Sequence, residues 1–158
     1  FKDHANKVYT ARFNPAGTQF VTSDRDNNLF IWDYKQNKVI KQLKPPSNGF
    51  MFYCDYSPDG KYIVGTTFRN EIVVLDTTSY QFTDVQVIEP LAEHCDLGYY
   101  CRFSKTRPNV LLTGHEDHRI RQWELVEGGN LKLVETIEGH SGAVRSVIFN
   151  KNENRMIS

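Results

Sequence analysis

Much is missing from this chain, and each absence removes a class of protein. No apolar run approaches the roughly 18 residues a membrane-spanning helix needs. Neither sign of charge dominates, with 19 Lys and Arg against 19 Asp and Glu. No global field therefore draws the chain onto nucleic acid or a membrane surface. Cysteine is scarce, three residues without framework spacing, which excludes a secreted disulfide scaffold and points to a reduced, intracellular setting, cytoplasmic or nuclear. Glycine-rich phosphate loops, HExxH and dinucleotide fingerprints are all lacking. So are a visible signal peptide and any helix-period stretch of useful length. Aromatic residues, by contrast, are plentiful: ten Phe, eight Tyr and two Trp. Spread along the chain, they suffice to build a core and exclude disorder.

The aromatics mark a repeat. KVYTARFNPAGTQFVTS, FMFYCDYSPDGKYIVGT, GYYCRFSKTRPNVLLTG and AVRSVIFNKNENRMIS align on Phe13, Tyr56, Phe103 and Phe149, spaced 43, 47 and 46 residues apart. FIWD (30–33), VVLD (73–76) and RQWE (121–124) follow the first three, making Trp32, Leu75 and Trp123 equivalent. Short apolar runs rich in Val, Ile, Phe and Tyr, such as QFVTS, EIVVLDT and NVLLTG, read as strands. Asn14-Pro15-Ala16-Gly17 and Ser57-Pro58-Asp59-Gly60 read as type I turns, with Pro at the second position and Gly at the fourth. Repeat three has the longer Ser104–Asn109 segment there, and repeat four Asn150–Asn154. A turn of helix is expected at most over Glu89–Cys95. Several short strands in a period of 40–50 residues specify an all-β propeller.

Polar residues recur in the same register. His4, His94 and His140 lie nine before Phe13, Phe103 and Phe149; Asp26 and Asp117 lie six before Trp32 and Trp123, with Thr22 and Thr113 ten before. With this spacing and Trp32-Asp33, the whole chain resembles the WD40-repeat family of β-propellers. The resemblance implies a partial propeller domain over 1–158, with four-stranded antiparallel blades at about 4–49, 50–93 and 94–139. The first two strands of a fourth follow at 140–158, so a fragment of a larger chain is expected. Innermost strands should begin near Lys7, Met51, Gly98 and Ala143.

The family's buried network of His, Ser/Thr, Asp and Trp implies two structural sets, His4–Thr22–Asp26–Trp32 and His94–Thr113–Asp117–Trp123. Donor-only indole, a hydroxyl that donates and accepts, and imidazole facing carboxylate are chemically compatible. Repeat two has Ser47, Gly65, Arg69 and Leu75 instead, so its blade should rest on apolar contacts through Tyr62–Val64 and Ile72–Leu75. A hydrolase reading of Thr, His and Asp is rejected: the constellation occurs twice, gives its hydroxyl to Trp, and lacks a nucleophile elbow. No catalytic residue is assigned.

Nor is a metal or cofactor. His115-Glu116-Asp117-His118 sits where strand alternation separates neighbours, and His94-Cys95 with Cys101 lacks a CxxC pair. Cys54 and Cys101 read as small core residues. The bases are dispersed in the sequence, so nucleic acid is not indicated as a partner.

The resemblance implies a non-enzymatic protein–protein interaction scaffold in a multiprotein assembly. Alternatives are a substrate receptor of a ubiquitin ligase and an RNA-processing or chromatin-associated subunit. Such receptors often carry Arg two residues after the Trp-Asp pair; Tyr34-Lys35 and Leu125-Val126 stand here. By the resemblance, the face binding a protein or peptide would carry Lys7, Tyr9, Phe50, Phe52, Leu97, Tyr99, Ala143 and Arg145, with Arg25, Phe68 and Glu116 from the turns.

Overall fold

The computed structural model describes residues 3–88, 97–153 and 155–158, and every regular element within them is a strand. Strands β1 (Val8–Phe13), β2 (Gln19–Asp24), β3 (Leu29–Asp33) and β4 (Lys38–Leu43) form one antiparallel sheet in chain order. Next come β5 (Met51–Tyr56), β6 (Tyr62–Thr67), β7 (Glu71–Asp76) and β8 (Phe82–Val87), then β9 (Gly98–Phe103), β10 (Val110–His115), β11 (Ile120–Val126) and β12 (Asn130–Ile137). A two-stranded sheet of β13 (Ile148–Phe149) and β14 (Met156–Ile157) ends the chain. This is a partial propeller: three four-stranded blades and the inner strands of a fourth, with β1 beside β5 and β5 beside β9. The expected helical turn at Glu89–Cys95 lies outside the described residues.

The turns follow from their residues. Gly17 and Gly60 close the first two inner turns at φ 67° and 76°, their N–H groups donating to Asn14 O and Ser57 O. The second turn of each blade has Asn27, Asn70 or His118 in the left-handed region, which Asn and His enter more readily than most side chains. Repeat four puts Glu153, at φ 52°, where the first repeats have glycine.

The middle strands are buried on both faces between blades, which is why they read as unbroken apolar runs. Val21, Leu29 and Ile31 of blade one meet Met51, Cys54, Tyr56, Ile63, Val73 and Leu75 of blade two. Val64, Ile72 and Val74 meet Cys101, Phe103, Leu111 and Trp123 of blade three. Blade two fills the space of its missing Thr and Trp with sulfur: a Cβ on Gly65 would lie 2.3 Å from Met51 Sδ, and Met51 is buried. Repeat four differs from expectation, since its inner strand starts at Ile148 rather than near Ala143. β14 pairs with it at only two positions, so Val144 and Val147 lean instead on Leu112 and Ile120.

Candidate functional site

Strand geometry decides which polar residues meet. Residues two apart on a strand share a face, so Thr22 presents its hydroxyl on the same side of β2 as Asp24. His4 Nδ1 faces Asp24 Oδ2 at 2.7 Å, His4 Nε2 faces the Thr22 hydroxyl at 2.6 Å, and Trp32 Nε1–H donates to that hydroxyl at 2.8 Å. The expected Asp26 is not the carboxylate of this set. It lies past the end of β2, exposed, and accepts from Asn6 Nδ2. Burial works to raise the Asp24 pKa, but hydrogen bonds from His4 and Asn28 outweigh it and hold it below the usual carboxylate value.

Blade three repeats the pattern with other residues. Trp123 Nε1–H donates to Thr113 Oγ1 at 2.8 Å, and Thr113 meets His115 Nε2 at 2.7 Å. Nδ1 of His115 donates across the blade boundary to Asn70 Oδ1 at 2.7 Å. His94, expected to face Asp117, lies outside the described residues, and the histidine that meets Thr113 is His115. Asp117 is buried, but its carboxylate takes both arms of Arg121, at 3.1 and 2.5 Å. Burial, then the neighbouring Arg121 charge, push the His115 pKa down to about 3. Its imidazole is thus neutral at pH 7. Asp24, Thr67 and His115 all stand eight residues before Trp32, Leu75 and Trp123, and this shared polar position is the signal that could have located them. In the fourth repeat, His140 Nε2 meets Ser158 Oγ at 2.6 Å.

The residues assigned to the interaction face gather where the inner strands begin. Backbone bonds join each strand start to a turn in every blade: Arg25 N–H to Lys7 O, Phe68 N–H to Phe50 O, and Glu116 N–H to Leu97 O, at 3.0, 2.9 and 2.9 Å. The rings then form one row across three blades. Phe68 stacks on Phe50 (centroids 5.0 Å apart), Phe50 on Tyr9 (4.8 Å), and Tyr9 on Phe52 (5.1 Å). Phe52 meets Tyr99 edge to face at 5.8 Å, and Arg145 lies 5.6 Å over the Tyr99 ring. Tyr99 donates its hydroxyl to Glu116 at 3.2 Å; burial and then that carboxylate push its pKa up, so the phenol keeps its proton. Tyr9 and Phe68 remain 36% and 40% exposed, while Phe50, Phe52 and Tyr99 are half-buried. Lys7, Arg25 and Arg145 are exposed, and Ala143 and Leu97 half-buried.

The same geometry gives the other candidates different work. In the His115–His118 run, Glu116 and Asp117 hold Tyr99 and Arg121, and His115 is enclosed. Cys54 and Cys101 are wholly buried, and burial raises the Cys54 thiol to about 12.

Comparison with known proteins shows what the chain is similar to. The WD40 family model, "WD domain, G-beta repeat", matches residues 1–33 and 131–158. Over these residues the chain is similar to WD40-repeat proteins. It is 24% identical to eukaryotic translation initiation factor 3 subunit I of Phaeosphaeria nodorum, over 99% of the chain and 50% of the relative. To a guanine nucleotide-binding protein subunit beta of Arabidopsis thaliana it is 25% identical, over 98% of the chain and 42% of that protein. The solved structure of U3-55K superposes with a TM-score of 0.78 at 19% identity, covering 90% of this chain and 42% of the other. The chain thus spans about half the length, or less, of these relatives.

Proposed function

We propose that this chain is part of a non-enzymatic scaffold that binds other proteins within a multiprotein assembly, inside the cell in cytoplasm or nucleus. The observation that carries the reading is the aromatic row from Phe68 to Tyr99, which spans three blades and ends under Arg145. Aromatic and Arg residues are the types that dominate binding energy at protein interfaces. The exposed cations Lys7, Arg25 and Arg145 belong to the same face. That combination suits an acidic or aromatic segment of a partner. Two relatives named as subunits, of an initiation factor and of a guanine nucleotide-binding protein, support work within an assembly. The non-enzymatic reading draws on Thr113, which is fully buried and bonded to Trp123, no position for a nucleophile.

The test measures partner affinity by calorimetry, using full-length protein and the partner purified with it. Tyr9→Ala, Phe50→Ala and Arg145→Ala, with folding checked by thermal melting, should each weaken binding by about 2 kcal/mol, roughly 30-fold. Undiminished affinity in all three, beside a loss on substituting outer-strand Lys38 or Lys132, would move the binding site off this face.

A further inference from the structure

At the other end of the inner strands, the fold gathers cations that the sequence leaves scattered. Arg102 stands at the end of β9, Lys105 and Arg107 in the turn that follows, and Lys151 and Arg155 in the corresponding turn of repeat four. Two clefts open beside these turns. One, about 330 Å³, is lined by Arg102, Lys105 and Lys151 with Phe103 and Phe149. Its neighbour, about 220 Å³, is lined by Arg107 and Arg155, and the two share Phe149 and Glu153 as a wall. Among the described residues, no carboxylate is in ion-pair contact with Lys105, Arg107, Lys151 or Arg155, and Arg102 reaches Asp55 only at 3.8 Å. Glu153 is the one described acid lining either cleft, and its carboxylate is turned into the loop. There it accepts from the Ser104 and Thr106 hydroxyls and from the Lys105 and Thr106 N–H groups.

We propose that this turn face binds single-stranded RNA through its phosphates. Charge complementarity selects an anion, and cations in two adjoining clefts suit a chain of repeated charges better than one isolated group. The aromatic side chains decide between polyanions. Phe103 is 4% exposed and Phe149 lies under the Arg107 guanidinium at 5.1 Å, and the apolar side chains open at the clefts are the aliphatic Ile148 and Met156, so an acidic protein finds no open aromatic anchor of the kind that dominates interfaces. A phosphodiester chain needs only the cations, since neutralising phosphates releases bound counterions and supplies the affinity. Two adjoining clefts of about 330 and 220 Å³ suit the flexible backbone of a single strand better than a rigid duplex, and the nucleic acid that is ordinarily single-stranded in a cell is RNA. This face lies across the blades from the aromatic row, so both can be occupied together.

The experiment titrates the full chain into a fluorescein-labelled oligouridylate of about 12 nucleotides and follows anisotropy from about 50 to about 200 mM salt. Saturable binding is expected, with log affinity falling against log salt at a slope of about −2 to −3.5, the signature of three to five phosphates on a single strand. Lys105→Glu with Lys151→Glu should cut affinity about tenfold or more and flatten the slope. Arg155→Ser should lower both to a lesser extent, and Tyr9→Ala on the opposite face neither; melting temperatures monitor folding. Absence of saturable binding at low salt would overturn the proposal, as would an unchanged slope in the folded charge-reversed variant. Competition by polyglutamate as effective as by RNA would also overturn it and assign the face to an acidic protein.

Discussion

His4 is held from two sides, by the Asp24 carboxylate at 2.7 Å and the Thr22 hydroxyl at 2.6 Å. Asp24→Ala therefore strands a buried ring N–H and should cost about 1–3 kcal/mol in chemical denaturation. Asp26→Ala removes only an exposed bond from Asn6 and should stay within about 0.5 kcal/mol. Equal costs would put the network's carboxylate in doubt. The pH response is set at the same scale. His115 has its pKa depressed to about 3 from an ordinary 6.5, so between those values the unfolded chain binds a proton that the folded chain refuses. Stability is then full above about pH 6.5 and should fall by roughly 1 kcal/mol per pH unit as the solution is acidified toward pH 3. Asp24 and Asp117, both held below the usual carboxylate value, act in the same direction lower down: their stabilisation is present above the unfolded pKa and is lost as pH falls through the folded one. Denaturant midpoints from pH 7 to 4, with an NMR titration of His115, check this. A His115 that titrates near 6.5 would refute it.

At the scale of the strand and its turn, one register position takes a different residue in each blade while the backbone stays the same. Eight residues before Trp32, Leu75 and Trp123 stand Asp24, Thr67 and His115, bonded to His4, Glu71 and Asn70 respectively. Blade two has no His–Thr–Trp chain and exchanges polar bonds for close apolar contact, with Met51 lying over Gly65. Gly65→Ala should therefore overpack the blade and destabilise it by about 1–3 kcal/mol. Met51→Ala in the Gly65→Ala background should cost less than Met51→Ala alone, because the added methyl occupies part of the vacated volume. Additive costs in that double-mutant cycle would show that the two side chains do not compete for space. The Glu153 turn belongs to this scale too. Its carboxylate ties the repeat-four turn to the longer repeat-three turn, bonds that the repeat-one turn's Gly17 at the same position has no side chain to make.

Across the whole molecule, the propeller architecture was legible because it rests on periodicities that any stretch of chain carries within itself. Buried middle strands read as apolar runs, turns as Pro-x-Gly or Asn, and the repeat as the spacing of Phe13, Tyr56, Phe103 and Phe149. The shared strand positions were legible by register as well, since Phe50 and Tyr99 occupy the places of Lys7 and Tyr9 in their own repeats. Their stacking order was not, because ring contacts between blades depend on how neighbouring sheets lean together. Three things were decided only by tertiary structure. Asp24 rather than Asp26 meets His4, because the carboxylate must share a strand face with Thr22 while the turn carries Asp26 out to solvent. His115 completes the blade-three network through Asn70, a residue 45 positions earlier in the chain. Arg102, Lys105, Arg107, Lys151 and Arg155 form one basic surface because two inner turns come side by side. A linear sequence fixes local period and strand parity through backbone geometry; which side chains from different blades come within a few ångströms is set by the docking of the sheets.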